Sequence, residues 1–101
     1  MAIDLCVLLW ARPGQEDALV AYEDKVLALV AEHGGRVLQR ARTDGTGDRP
    51  FEVQMFSFES QAAMDGYLGD ERRLALADER DRAVARTELM PVTLAEPAPE
   101  K

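Results

Sequence analysis

Cysteine and histidine are almost absent from this sequence, which has one residue of each, Cys6 and His33, in 101 residues. A single cysteine excludes a disulfide within the chain and a zinc site built on cysteines. A single histidine likewise excludes a metal site built on several imidazoles. We therefore expect no bound metal and no cofactor, and we expect Cys6, in an apolar segment, to be a small buried side chain.

Long hydrophobic runs and an excess of positive charge are also missing. The longest apolar run, residues 5–11, is far shorter than the roughly 20 residues that cross a bilayer. No signal-like segment precedes it, because Asp4 interrupts the start of the chain. The net charge of −7, from 12 basic and 19 acidic residues, repels phosphate backbones and anionic membranes. We therefore expect a cytoplasmic protein without nucleic-acid or membrane partners.

What the sequence does contain is a clear succession of strand-like and helix-like patterns. Apolar runs and alternation predict strands, whereas apolar residues at three- and four-residue steps predict helices. Ser60 is a plausible N-cap, and Pro91 favours an edge strand because it cannot donate to a ladder. The predicted elements are a strand at 2–11, a helix at 14–35, strands at 36–43 and 51–58, helical segments at 59–69 and 70–85, and a strand at 86–95.

The order of these elements is β-α-β-β-α-β. This order predicts an α+β, ferredoxin-like fold with four antiparallel strands and helices on one face of the sheet. We expect residues 1–95 to form one such domain and residues 96–101 to be a disordered tail.

Alternation along the strands predicts which side chains share a face of the sheet. We expect Ile3, Leu5, Val7 and Leu9 to meet the helices. The opposite face is then predicted to hold Asp4, Cys6, Leu8, Trp10, Arg40, Glu52, Gln54, Phe56 and Phe58. A partly apolar face of this kind would be a large exposed patch on a monomer. We therefore expect a homodimer in which a second subunit covers it.

His33 stands immediately before two glycines, Gly34 and Gly35, at the end of the predicted first helix. A histidine in the last turn interacts favourably with the carbonyl end of the helix dipole, and a glycine there closes the helix. We therefore expect His33 to end the helix rather than to act in catalysis.

Several segments together resemble the dimeric α+β barrel superfamily. They are the "RPG" turn after the first strand, the helix ending in "GGR", the strand "FEVQMFSFES" and the segment "YLGDERRLALADERDRAV". The resemblance covers residues 3–94 and is strongest to the small domain-of-unknown-function branch related to antibiotic-biosynthesis monooxygenase-like proteins. It implies a homodimer whose sheets face each other, with a ligand cavity between each sheet and its helices.

The resemblance implies a small-molecule-binding protein but does not fix a reaction. The candidate activities are those of a cofactor-independent monooxygenase, isomerase or cyclase acting on a phenolic or polyketide-like substrate. The alternative is a non-catalytic ligand-binding or structural dimer module. Many oxygenase relatives carry a histidine where this chain has Tyr67, so haem chemistry and histidine-dependent mechanisms are not expected.

Cofactor-independent chemistry needs a base, donors for a developing oxyanion and aromatic walls. As catalytic residues we predict Asp4 as the base and Tyr67 as a donor. The predicted ligand-binding residues are Trp10 and Phe56 as walls, Tyr22 as a second donor, Gln54 as a polar contact, and Arg40 and Arg80 as anion holders. Each also has a purely structural explanation, in packing or in surface ion pairs. The expected ligand is a planar, mostly apolar or weakly acidic molecule.

Overall fold

The computed structural model describes residues 2–95, so the predicted tail at 96–101 lies outside the described residues. In this range the strands and helices follow the predicted order, and the second strand is followed directly by the third. The elements are β1 (Ile3–Ala11), α1 (Glu16–Leu27), a short 3-10 helix (Val30–His33), β2 (Gly35–Arg42), β3 (Glu52–Phe58), α2 (Gln61–Leu68), α3 (Glu71–Leu74), α4 (Ala77–Ala83) and β4 (Val84–Val92).

The strands form one antiparallel sheet in the order β2-β3-β1-β4. The apolar strand β1 lies inside the sheet, hydrogen-bonded to β3 on one side and to β4 on the other, as its composition predicts. Pro91 lies on the edge strand β4, where a missing N–H costs least. Within residues 2–95, no helix is long and apolar enough to cross a membrane.

The first helix was predicted at 14–35, but the observed α1 is shorter and is followed by a tighter helical turn. After α1 the chain continues as the 3-10 helix, which Gly34 ends in the left-handed conformation at a φ of 73°. Gly35 is needed for a different reason, because a Cβ there would come within 2.7 Å of Val30 and of the Phe58 ring. His33 lies at the predicted helix end, and its Nε2 is also 2.8 Å from Oδ2 of Asp70. That contact joins the 3-10 helix to the start of α3.

The prediction of which residues share a face of the sheet is wrong for strand β3, and also for Arg40 of β2, which lies opposite Gln54. In the register between β1 and β3, Leu5 lies opposite Phe56 and Val7 lies opposite Gln54. Residues directly opposite each other project to the same face. Glu52, Gln54, Phe56 and Phe58 therefore meet the helices and are all buried.

The face of the sheet opposite the helices, here called the outer face, carries the other half of β1. Asp4, Cys6 and Leu8 lie there, opposite Ser57, Met55 and Val53 of β3. All of these side chains are partly exposed in the single chain. Cys6 was expected to be buried but is partly exposed, because no helix within residues 2–95 covers this face.

Candidate functional site

A cavity lies between the sheet and the helices, on the face where β1 and β3 present their buried side chains. The cavity has a volume of about 50 Å³, and the depression that contains it measures about 410 Å³ when space open to solvent is included. Val7, Leu9 and Phe56 of the sheet give it an apolar floor. The side chains that bring polar atoms to it include Tyr22, Glu23, Gln54, Tyr67, Arg73 and Arg80.

Tyr67 reaches the cavity from α2 and is almost fully buried, at 3% exposure. Its ring packs on the rings of Phe56 and Phe58, at centroid distances of 6.3 and 5.4 Å. Burial raises the pKa of Tyr67 to about 12, although the charge of Arg73 acts in the opposite direction. Burial also raises the pKa of Tyr22. Both phenols therefore stay protonated at neutral pH and act as hydrogen-bond donors.

Arg73, from α3, places its guanidinium 5.2 Å from the centre of the Tyr67 ring. Its Nη1 donates to the backbone oxygen of Leu68 at 3.3 Å. Within residues 2–95, Nε of Arg73 is the one buried side-chain nitrogen or oxygen without a hydrogen-bond partner. A donor left in this state costs free energy, and more so on a charged group.

Arg80, from α4, is held only loosely beside the cavity. Its Nη2 lies 3.4 Å from Oγ1 of Thr87, and its Nη1 lies 3.8 Å from a carboxylate oxygen of Asp81. Two guanidinium groups therefore line the cavity with donors that are not fully used. An anion is the ligand charge that such a site favours.

A buried row of polar side chains leads from the cavity to the β2 side of the sheet. Nε2 of Gln54 donates to Glu23 at 2.9 Å and to Glu52 at 2.6 Å. Glu52 also accepts hydrogen bonds from Arg40 and Arg42, each at 2.9 Å from its Nε. Glu23 faces the cavity, so the row connects the cavity to the arginines of β2.

The two glutamates of this row have opposite pKa shifts. Burial raises the pKa of Glu23, and the hydrogen bond from Gln54 offsets only part of that rise. Burial also acts to raise the pKa of Glu52, but hydrogen bonds from Arg40, Gln54 and Arg42 outweigh it and hold the pKa below its ordinary value. Charge partners decide the difference, because Glu52 has two arginines in direct contact.

Solved structures of similar architecture cover nearly the whole chain. A protein of unknown function from Rhodopseudomonas palustris is 18% identical with a TM-score of 0.76, over 95% of this chain and 84% of that one. A DABB family protein with a ferredoxin-like fold from Mesorhizobium loti is 12% identical with a TM-score of 0.68, over 94% and 98%. The chain has a ferredoxin-like fold. The α+β fold class predicted from the sequence is thereby confirmed.

A third similar structure is described as a dimeric protein of unknown function with a ferredoxin-like fold, from Bacteroides fragilis. It is 11% identical with a TM-score of 0.65, over 92% of this chain and 96% of that one. At such identities the likeness shows the fold alone. No protein-family model matches the sequence, and no curated protein matches it.

This ferredoxin-like fold brings five of the predicted site residues together at the cavity: Tyr22, Gln54, Phe56, Tyr67 and Arg80. Arg40 lies on the same face of the sheet, but its guanidinium contacts Glu52 and Asp24 rather than the cavity. Its predicted part in ligand binding stays a prediction.

Asp4 and Trp10 lie on the outer face and do not line this cavity. The prediction that they share a face with Phe56 and Gln54 is wrong, because the register pairs those two residues with Leu5 and Val7. Nε1 of Trp10 donates to the backbone oxygen of Asp48 at 2.9 Å, and the guanidinium of Arg86 lies 4.5 Å from its ring centre. The predicted roles of Asp4 as a base and of Trp10 as a wall stay untested.

Sequence reasoning missed Glu23 and Arg73. A signal for Glu23 was present, because it falls on the apolar stripe of α1, four residues after Leu19 and three before Val26. An acid on a buried helical stripe is unusual and often marks a site. Arg73 offered no such signal, because it lies among charged neighbours in the sequence.

In the part of the chain that the structure describes, no group of three or more histidine, cysteine, aspartate or glutamate side chains is placed to hold a metal ion. The polar groups of the cavity are mainly donors, which suit an anion better than a cation. The expectation that no metal or cofactor is bound stays a prediction.

Proposed function

We propose that this protein binds a small, planar, weakly acidic molecule in the cavity between its sheet and its helices. The observation that carries the proposal is the buried Nε of Arg73, which has no hydrogen-bond partner within residues 2–95. Because this atom has almost no surface open to solvent, a small shift of the Arg73 side chain has to accompany binding. A ligand oxygen that then accepts from this atom removes the cost of the unpaired donor. An anionic oxygen gains most, because hydrogen bonds between charged groups are the strongest.

The rest of the cavity supports the same kind of ligand. Its apolar floor and the ring of Phe56 suit the flat face of a planar molecule. The hydroxyl groups of Tyr22 and Tyr67 stay protonated and can donate to an oxygen that carries negative charge. Arg80 supplies a second positive charge beside Arg73.

Such a site favours reactions that pass through an anion without a cofactor. Protonated tyrosines and arginines stabilise a developing oxyanion, and an apolar floor keeps the substrate away from water. As reaction types we propose cofactor-independent monooxygenation, isomerisation or cyclisation of a phenolic or polyketide-like substrate. Within this proposal Tyr67 is the donor to the oxyanion.

The alternative function is that of a non-catalytic ligand-binding or structural dimer module. The cavity volume of about 50 Å³ favours it, because small-molecule sites usually measure roughly 300–1,000 Å³. A planar ligand therefore has to place its polar end in the cavity and its remainder in the open depression. If the side chains at the rim do not allow this, the cavity is only a packing defect.

We also propose that the protein is a homodimer joined through the outer face of the sheet. Cys6, Leu8, Val53, Met55 and Met90 give this face an apolar centre. One of the similar structures is described as dimeric. A second copy would remove this apolar surface from water.

Calorimetric titration of a panel of phenols and small aromatic carboxylates tests the ligand-binding proposal. We expect at least one compound to bind the wild-type protein. Arg73→Met keeps the apolar stem of the side chain but removes its charge, and it should weaken binding by roughly tenfold to a hundredfold. Arg82→Met is the matched control, because Arg82 is an exposed arginine on α4 that does not line the cavity.

Calorimetry is used rather than fluorescence because the single tryptophan, Trp10, lies on the outer face of the sheet. Its emission would therefore not report on a ligand in the cavity. The proposal is contradicted if no compound binds at millimolar concentration. It is equally contradicted if Arg73→Met and Arg82→Met bind as the wild type does.

A further inference from the structure

Glu23 differs from every other polar side chain at the cavity in what it can do with a proton. Arg73 and Arg80 are donors only, and Tyr22 and Tyr67 stay protonated because burial raises the pKa of each. Gln54 and Thr87 do not ionise. Among the described residues that line the cavity, Glu23 is therefore the one side chain that can accept a proton.

The position of the Glu23 carboxyl group is fixed by its neighbours. It is only 6% exposed, and Nε2 of Gln54 donates to its Oε1 at 2.9 Å. The second N–H of Gln54 Nε2 donates a hydrogen bond to Glu52, which also accepts hydrogen bonds from Arg40 and Arg42. Gln54 thereby holds Glu23 through Oε1, and Oε2 accepts no hydrogen bond within residues 2–95, which leaves it as the oxygen that can meet a ligand.

We infer that Glu23 is the base of this cavity: its carboxylate takes the hydroxyl proton of a bound neutral weak acid, and Arg73 holds the anion that forms. The inference rests on the proposed function, because it needs a ligand in the cavity. The O–H bond of the ligand breaks, its electron pair stays on the ligand oxygen, and a new O–H bond forms on Glu23. The transfer involves no oxidation or reduction, and the net charge of the complex does not change.

Burial favours proton uptake by Glu23, whereas the charges that face it act in both directions. Glu52 on β3 repels a negative charge on Glu23, whereas Arg40 on β2 and Arg73 on α3 attract it. Burial is the largest influence and raises the pKa of the carboxyl group, which makes Glu23 a stronger base than an exposed glutamate. Tyr22 beside it on α1 and Tyr67 on α2 are neutral donors and turn toward the same cavity. Transfer moves the negative charge from the carboxylate, which lacks a direct cation partner within residues 2–95, to an oxygen beside Arg73.

The probe for this inference is para-nitrophenol, whose phenolate absorbs visible light and whose neutral form does not. We would measure its spectrum with excess protein, at a pH low enough that the free compound is mostly neutral. With the wild-type protein the phenolate band should appear on binding. In Glu23→Gln the bound compound should stay neutral, with its apparent pKa raised by at least about one unit, a tenfold loss of phenolate at that pH.

Three variants make the result specific to the Glu23 carboxylate. Glu23→Gln keeps an oxygen that can accept from Gln54, so the variant should fold, and calorimetry should still show binding. Glu23→Asp keeps a carboxylate and should retain the phenolate band in part. Glu79→Gln is the matched control, because Glu79 also carries negative charge near Tyr22 but pairs with Lys25 outside the cavity. It should behave as the wild type does.

The outcomes separate this inference from the proposed function. Binding to the wild-type protein without a phenolate band overturns the inference and leaves the binding proposal standing. A phenolate band of equal strength in Glu23→Gln also overturns it. No calorimetric binding of any compound overturns the proposed function, and the inference with it.

Discussion

At the scale of single residues, Glu23 and Glu52 show how the same side chain acquires opposite properties in one buried row. Both are buried and both accept a hydrogen bond from Gln54. Glu52 also touches two arginines, so its charge is compensated and its pKa is lowered. Glu23 has no such contact among residues 2–95, and its pKa is raised. The Glu52 carboxylate therefore stabilises the folded protein. The Glu23 carboxylate destabilises it when ionised, but it is the more reactive of the two groups.

This contrast predicts opposite effects of two matched substitutions on stability. Glu52→Gln should lower the free energy of unfolding at neutral pH by about 2 kcal/mol, because Arg42 loses its charged partner and Arg40 keeps only Asp24. The stability from Glu52 is present above the ordinary glutamate pKa of 4.5 and is lost as the pH falls through its lower folded value. Urea unfolding at a series of pH values measures this. A variant as stable as the wild type at neutral pH would contradict the prediction.

Glu23→Gln should raise the free energy of unfolding at neutral pH, or leave it unchanged. With a raised pKa in the folded state, the ionised carboxylate favours the unfolded chain. Stability is therefore lost as the pH rises from 4.5 through the folded pKa of Glu23. The same urea series should show that this loss is absent in the variant. A clear destabilisation at neutral pH would mean that the Glu23 charge supports the fold.

At the scale of elements, the sequence predicted the type and order of strands and helices but not the phase between strands. Alternation shows that Glu52, Gln54, Phe56 and Phe58 share one face of β3. It does not show whether that face meets Leu5 or Leu8, because the hydrogen-bond register sets the phase. Glu52 and Gln54 are polar residues on the buried face, and contacts with Glu23, Arg40 and Arg42 compensate their burial. The full lining of the cavity could not be predicted for the same reason, since it needs β3 to face the helices.

Helix α2 provides a test of an element boundary that the sequence did predict. Oγ of Ser60 accepts from the backbone N–H of Ala63 at 3.1 Å, which satisfies one of the free donors of the first turn. Ser60→Ala should lower the free energy of unfolding by about 1 kcal/mol. Gln61→Ala, one residue later on the exposed side of the same helix, is the control. It should change the free energy of unfolding by no more than a few tenths of about 1 kcal/mol. Thermal and urea unfolding measure both. Equal effects of the two changes would show that the cap contributes nothing.

At the scale of the whole molecule, the two faces of the sheet differ in what covers them. The helices cover one face, and the cavity lies between them and the sheet. The outer face has no helix over it in the described chain, although Leu8, Met55 and Met90 are apolar. Charged residues such as Asp4, Arg86 and Glu88 lie around this apolar centre. An apolar centre with a polar rim is the usual composition of a protein–protein interface.

Disruption of the outer face should therefore separate the subunits without damaging the fold. Leu8 lies near the middle of β1, between Val53 and Glu88 on the neighbouring strands. Leu8→Arg places a charge in the centre of the proposed interface, where it would be buried without a partner. We expect the wild-type protein to sediment at micromolar concentration with twice the mass of one chain, and Leu8→Arg with the mass of one chain.

Leu74→Arg is the control, because Leu74 is a 55% exposed leucine on α3, away from the sheet, and this variant should stay dimeric. Because the cavity and the proposed interface lie on opposite faces of the sheet, the monomeric variant should keep its circular dichroism spectrum and still bind the ligands of the wild type. A wild-type monomer, or a Leu8→Arg dimer, would refute an interface through this face.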